Sequence, residues 1–160
     1  MLKRLFSKIL PTAVVIVAAL LVTGAFGDNA KGLLKGPIVI TSDTLSADAA
    51  NNTAVFEGSV VAKTGDLSMY SDKMTVYYTK DGGIDKIDAV GNIRLVKGER
   101  VLTSDRATYL ASEGKITFTG EPKAVEGANT ITGSEIVYLI NEDRSIVHDS
   151  KVYIDQGGDK

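Results

Sequence analysis

The sequence predicts an all-β domain of antiparallel strands, built from stacked repeats of about 29 residues, the distance from Ser42 to Ser71. Three observations carry this. Apolar and polar residues alternate with period two over most of the chain, a two-part signature recurs at fixed spacing, and glycine- or asparagine-rich turns punctuate the segments. Period two is the side-chain period of a strand with one face buried and the other wet.

The signature is clearest over residues 55–78, VFEGSVVAKTGDLSMYSDKMTVYY. A glycine with apolar residues at −2 and +2 is followed by a Ser-Asp pair with apolar residues at −2, +3 and +5. The first residues of the pairs are Ser42, Ser71 and Ser104, with Gly133 in the fourth place, and the glycines are Gly58, Gly91 and Gly120. Glycine to the next pair is 13 residues every time, whereas pair to glycine is 16, 20 and 16. The four extra residues fall at Lys80-Asp81-Gly82-Gly83, a turn composition, so the insertion lengthens a loop without disturbing the strands. Constancy in apolar segments with slack at a turn is the mark of a stacked repeat.

Taken in order, residues 1–27 differ from all that follows. Lys3, Arg4 and Lys8 precede an apolar run, and Ala25-Phe26-Gly27 ends it with small residues, the pattern of a secretory signal peptide. The alternative is an uncleaved anchor helix, which Pro11 disfavours. Removal of this segment leaves 15 basic against 20 acidic residues, a surface unsuited to nucleic acid. The remaining 133 or so residues suffice for one domain. Residues 28–36 read as a linker, 37–154 as the β domain and 155–160 as a fraying tail. Cysteine is absent, which excludes a disulfide-stapled fold and thiolate metal sites.

Within the domain, Pro37 opens a first strand containing Ile38 and Ile40, a position where a missing N–H is tolerated. Turns are expected at Asn51-Asn52, Thr64-Gly65-Asp66, Lys80 to Gly83, Lys97-Gly98-Glu99, Ser112-Glu113-Gly114, Glu126 to Asn129 and Asn141-Glu142-Asp143. Such short connections favour antiparallel neighbours. The inward positions are then Ile38, Ile40, Met69, Leu102 and Ile131 before the pairs, and Leu45, Met74, Val76, Tyr109, Ile136 and Tyr138 after them. Phe56, Val60, Ala89, Ile93 and Phe118 flank the glycines. Read as sharing one face, these residues make a single apolar interior, with unpaired strand edges near residues 37–41 and 151–154.

No constellation supports catalysis. Asp43, Asp72 and Asp105 recur once per unit, as an outward residue beside a strand bend does, whereas a catalytic carboxylate pair is needed once. His148 is the only histidine, so no zinc set can be completed, and no nucleophile or phosphate-loop motif occurs. Gly58, Gly91 and Gly120 read as bends or close backbone approaches. An enzyme, a cofactor and a metal are therefore not expected.

At PIVITSDTLSAD (37–48), FEGSV (56–60) and FTG (118–120), the chain resembles the OstA-like family over roughly residues 37–154. The resemblance implies a semi-open, V-shaped antiparallel β-jellyroll in the periplasm. Its interior would carry the acyl chains of lipopolysaccharide from the inner to the outer membrane. It further implies end-to-end strand pairing, as a homo-oligomer and with two partners, an LptC-like inner-membrane subunit and an LptD-like outer-membrane protein. In the family pattern Ile38 and Ile40 are inward positions of the first strand and Tyr109 is the aromatic of the third unit. The sixteen inward residues named above are then the lipid-facing set. Two other readings are an LptC-like anchored subunit of the same system and a filled β-solenoid with a structural or glycan-binding role.

Overall fold

The structure, a computed structural model, describes residues 37–155. The expected signal peptide and linker lie outside the described residues, as do residues 156–160 of the expected tail. Twelve antiparallel strands make one continuous sheet. They are Val39–Thr41 (β1), Thr44–Asp48 (β2), Thr53–Thr64 (β3), Leu67–Tyr78 (β4), Ile84–Lys97 (β5), Arg100–Leu110 (β6), Lys115–Thr119 (β7), Lys123–Glu126 (β8), Asn129–Thr132 (β9), Glu135–Leu139 (β10), Arg144–His148 (β11) and Lys151–Tyr153 (β12).

Each long strand pairs in two stretches separated by an irregularity, and there the sheet folds over itself. The first half of β3 pairs with β2 and its second half with β1. Likewise residues 106–110 of β6 pair with β7, and residues 100–103 with β8. Two walls result. One runs β2, β3, β4, β5, β6, β7, β10, β11, and the other β1, β3, β4, β5, β6, β8, β9, β12, with the four long strands shared. The two walls face each other across one core, which gives the open antiparallel jellyroll that the family resemblance implies.

The folds are built by the recurring signature. In β3 and β5 the glycine and its successor both take positive φ, Gly58 and Ser59 at 80° and 47°, Gly91 and Asn92 at 83° and 49°. Gly120 and Glu121 repeat this between β7 and β8, at 77° and 52°. A Cβ at Gly58, Gly91 or Gly120 would collide with the side chain of Asp43, Asp72 or Asp105 respectively, Asp72 and Asp105 reaching across from the neighbouring strand and Asp43 from the bend between β1 and β2. Asp43 and Asp105 also donate their backbone N–H to the carbonyls of Gly58 and Gly120, at 2.9 and 3.0 Å. The repeated aspartate is thus a partner of the repeated glycine. In the fourth unit the Ser134 N–H donates to the His148 carbonyl at 3.0 Å, and the Ser134 hydroxyl to Asp149 Oδ2 at 2.7 Å.

One element of the sequence reading is corrected here. Positions −2 and +3 about the Ser-Asp pair are an odd number of residues apart, so on a flat strand Met69 and Met74 would face opposite ways. The strands carrying the pair have a register shift there, between Tyr70 and Lys73 in β4. The extra residue of the shift lies on the glycine strand β5, and at the bend Asp72 and Lys73 both face out, so that Ser71 and Met74 on either side of them are both buried. A single inner face therefore exists because each strand is irregular at its bend, and not because the alternation is unbroken.

Candidate functional site

The inner face of the first wall carries two apolar rows, one crossing it from β2 to β11 and the other running from β2 to β10, where it meets Ser145 on β11. Strand register aligns Leu45, Phe56, Met74, Ala89, Ala107, Phe118, Ile136 and Val147 in one. It aligns Ala47, Ala54, Val76, Ile87, Tyr109, Ile116 and Tyr138 in the other. On the second wall a matching row runs Ile40, Ala62, Met69, Leu95, Leu102, Ala124, Ile131 and Val152. Val60 and Ile93 sit at the fold between the walls, adjoining the glycine bends.

Of the sixteen residues expected inside, Val60, Met74, Val76, Ala89, Ile93, Leu102, Tyr109, Phe118, Ile136 and Tyr138 are buried in one cluster. Ile40, Phe56 and Met69 are half-buried against it, and Ile38 and Ile131 are half-buried. Leu45 keeps its inward row position but lies on the edge strand β2 and is 41% exposed. The sequence reading missed Ala54, Ile87, Leu95 and Ile116, which are equally buried. Leu95 and Ile116 are two residues from Ile93 and Phe118 on the same alternation, and extending the pattern one step would have found them.

The interior is tightly packed and leaves little free space between the walls. Between the walls lies a cavity of about 50 Å³, lined by Ile38, Ala62, Thr64, Leu67 and Met69 from one wall and Met74, Ile87, Ala89, Ala107, Tyr109 and Ile116 from the other. One water-sized group needs about 10–15 Å³ on this measure, so a few fit and a long acyl chain does not. Filling the interior with such a chain requires the walls to part. Thr64 Oγ1 beside the cavity is buried without a hydrogen-bond partner.

Polar side-chain contacts join the two walls on the rim. Lys97 and Arg100 flank the β5–β6 turn on the second wall, whereas Tyr138 of β10 and Asp143 of the turn after it belong to the first. The Tyr138 hydroxyl donates to Asp143 Oδ1 at 2.8 Å, and Lys97 Nζ donates to the Tyr138 oxygen at 3.1 Å and to Asp143 Oδ1 at 3.0 Å. Arg100 Nη1 reaches the same oxygen at 3.3 Å while its Nε holds Glu126 at 2.9 Å. Hydrogen bonds from Tyr138 and then Lys97 hold the Asp143 carboxyl below the usual carboxylate range. Those to Tyr138 and Asp143 raise Lys97, and burial raises the phenol of Tyr138. This clasp was not foreseen, since Lys97 and Asp143 read in the sequence only as turn residues.

Large apolar side chains are exposed at the sheet's two ends. Six of the seven are Val39 and Leu45 on β1 and β2, and Ile146, Val152, Tyr153 and Ile154 on or just after β11 and β12. Among the described residues no three acidic or histidine side chains gather as a metal site would require.

An open two-walled antiparallel jellyroll with an apolar interior and apolar edge strands is the fold class of this chain. The family described as LptA/(LptD N-terminal domain) LPS transport protein matches residues 39–144, and the chain belongs to that family. It is 24% identical over 109 residues to the lipopolysaccharide export system protein LptH of Pseudomonas aeruginosa, covering 64% of this chain and 62% of that protein. The match thus spans under two thirds of that relative's length. The crystal structure of LptH, described as the LptA-homologous periplasmic component of the conserved lipopolysaccharide transport device of that organism, superimposes with a TM-score of 0.68 at 17% identity. That superposition covers 78% of this chain and 99% of the LptH chain, and it shows a shared fold.

Proposed function

We propose that this protein is a periplasmic, non-enzymatic carrier of lipopolysaccharide, bridging the inner and outer membranes. The observation that carries the reading is one apolar row on each wall, Leu45 to Val147 and Ile40 to Val152, running without interruption from one edge strand to the other. Acyl chains need a continuous apolar path, and each methylene sheltered from water contributes about 0.8 kcal/mol. The sixteen inward residues, from Ile38 to Tyr138, are the lipid-facing set, and residues 37–154 form the carrier domain.

The edges support the bridging part of the reading. These two rows end on Leu45 and Ile40 at one end and on Val147 and Val152 at the other, all apolar. Pairing β1 and β2 of one jellyroll with β11 and β12 of the next would carry each row across the junction while satisfying free backbone groups. Such a contact is heterologous and generates an open chain, suited to spanning a gap. Its partners at the two ends are an LptC-like inner-membrane subunit and an LptD-like outer-membrane jellyroll.

The test is mass spectrometry of lipid co-purifying with the exported protein under native conditions. Bound lipopolysaccharide, lost on substituting Ile136 by Asp in a chain that still folds, is the expected result. Protein isolated free of lipid from a lipopolysaccharide-producing cell, and unable to take it up in vitro, overturns the proposal.

A further inference from the structure

Three donors converge on a single carboxylate oxygen at the rim of the interior. Asp143 Oδ1 accepts from the Tyr138 hydroxyl at 2.8 Å, Lys97 Nζ at 3.0 Å and Arg100 Nη1 at 3.3 Å. The donors stand on three different strands, β10, β5 and β6, whereas the acceptor stands on a turn. Lys97 and Tyr138 are also the last members of inward positions whose next members, Leu95 and Ile116, lie in the core. The donors therefore mark the boundary where apolar interior meets water.

Asp143 is the replaceable partner in this arrangement. Its side chain is 49% exposed, so water can receive it. Without it, Lys97 and Arg100 face Glu126 alone among the cluster's acids, and the site carries a net positive charge. An anionic oxygen arriving from solvent restores neutrality and all three hydrogen bonds.

The geometry points to an oxyanion site for the phosphate headgroup of an anionic amphiphile, with the Asp143 carboxylate as an internal stand-in that the headgroup displaces. Displacement unfastens the β10–β11 turn from the β5–β6 turn, so binding of the headgroup opens the rim above the interior that receives the chains. The inference rests on the reading of the interior as an acyl-chain carrier and adds to it which residues hold the charged end.

Two variants break the same clasp from opposite sides and so separate this inference from a merely structural latch. Binding of dodecyl phosphate, of dodecyl glucoside as its uncharged counterpart and of inorganic phosphate is measured by calorimetry on the native chain, Asp143→Asn and Lys97→Gln/Arg100→Gln. Asp143→Asn is expected to bind dodecyl phosphate about fivefold more tightly, and the double glutamine variant about tenfold more weakly, with dodecyl glucoside retained by both. Lys97→Arg/Arg100→Lys, which keeps both charges, retains the preference for the phosphate. Spin labels at Glu99→Cys and Glu142→Cys, the natural sequence having no cysteine, are expected to move apart when dodecyl phosphate binds. Shifts of the same sign in Asp143→Asn and the glutamine variant, or equal native affinity for the two amphiphiles, overturn the oxyanion site alone. Inorganic phosphate binding as tightly as dodecyl phosphate would show a free-anion site and also overturns it. A native chain that binds neither amphiphile refutes the carrier reading, and this inference falls with it.

Discussion

Phe118→Ala probes the interior where it is most completely packed. Phe118 has no exposed surface, and its ring lies in register between Ala107 and Ile136 on neighbouring strands. Alanine neighbours such as Ala107 and Ala89 leave little side chain to collapse into the space, so the transfer and cavity contributions both apply. The expected loss is about 3–5 kcal/mol. For a domain of this size that corresponds to a melting point lowered by roughly 10–20 °C. The control is Lys73→Ala, which removes an exposed ion pair to Glu57 on the outer face and should cost less than about 1 kcal/mol. Denaturant unfolding followed by circular dichroism measures both. If the interior accepts fatty chains, dodecyl phosphate at about 100 times its dissociation constant returns about 2.7 kcal/mol to Phe118→Ala. Equal effects of the two substitutions would refute the assignment of inner and outer faces.

Other substitutions test the bends, the cavity and the clasp. Gly98→Ala, at φ 57° with open space around it, should cost about 1–2 kcal/mol in chemical denaturation, and Gly91→Ala, at φ 83° and obstructed by Asp72, distinctly more. A cost at Gly91 no larger than at Gly98 would remove the structural role given to the aspartate–glycine pairs. Thr64→Val replaces a buried, unpartnered hydroxyl by a methyl of similar size and should raise stability by up to about 1 kcal/mol, read as a higher denaturation midpoint. Asp143, whose carboxyl is held below its usual value near 3.8, contributes stability that is present above that value and disappears as pH falls through the lower folded-state value. Lys97, raised by its partners, contributes stability present below its ordinary value near 10.5 and lost only as pH rises through the higher folded-state one. The difference in melting temperature between native protein and Asp143→Asn should therefore be constant from about pH 5 to 9 and vanish in strong acid.

Much of the fold was legible because a strand with one buried face writes its geometry into alternate residues. Phe56, Met74, Phe118 and Ile136 were named from that pattern and fall on one row across four strands. All seven expected turns coincide with strand ends, since Asn, Gly and Asp supply the backbone conformations those turns need. The folding of the sheet into two walls was harder to read. Gly58 and Gly91 announced a close approach, but only the pairing of one strand with different partners on either side of its bend shows two walls. The odd step from Met69 to Met74 was present in the sequence as an arithmetic clue to that bend. Nothing comparable announced the clasp. Lys97 and Asp143 are 46 residues apart and meet across the gap between walls, where no local periodicity operates.

The most direct test of the central claim places a photo-crosslinking residue at single positions in cells making lipopolysaccharide. Probes at Tyr109, Phe118 and Ile40, on the inner rows of both walls, should yield lipopolysaccharide adducts, and a probe at Lys73 on the outer face should not. Adducts at Lys73 as abundant as at Phe118, or none at any inner position in a folded chain, would contradict an apolar interior that carries lipid.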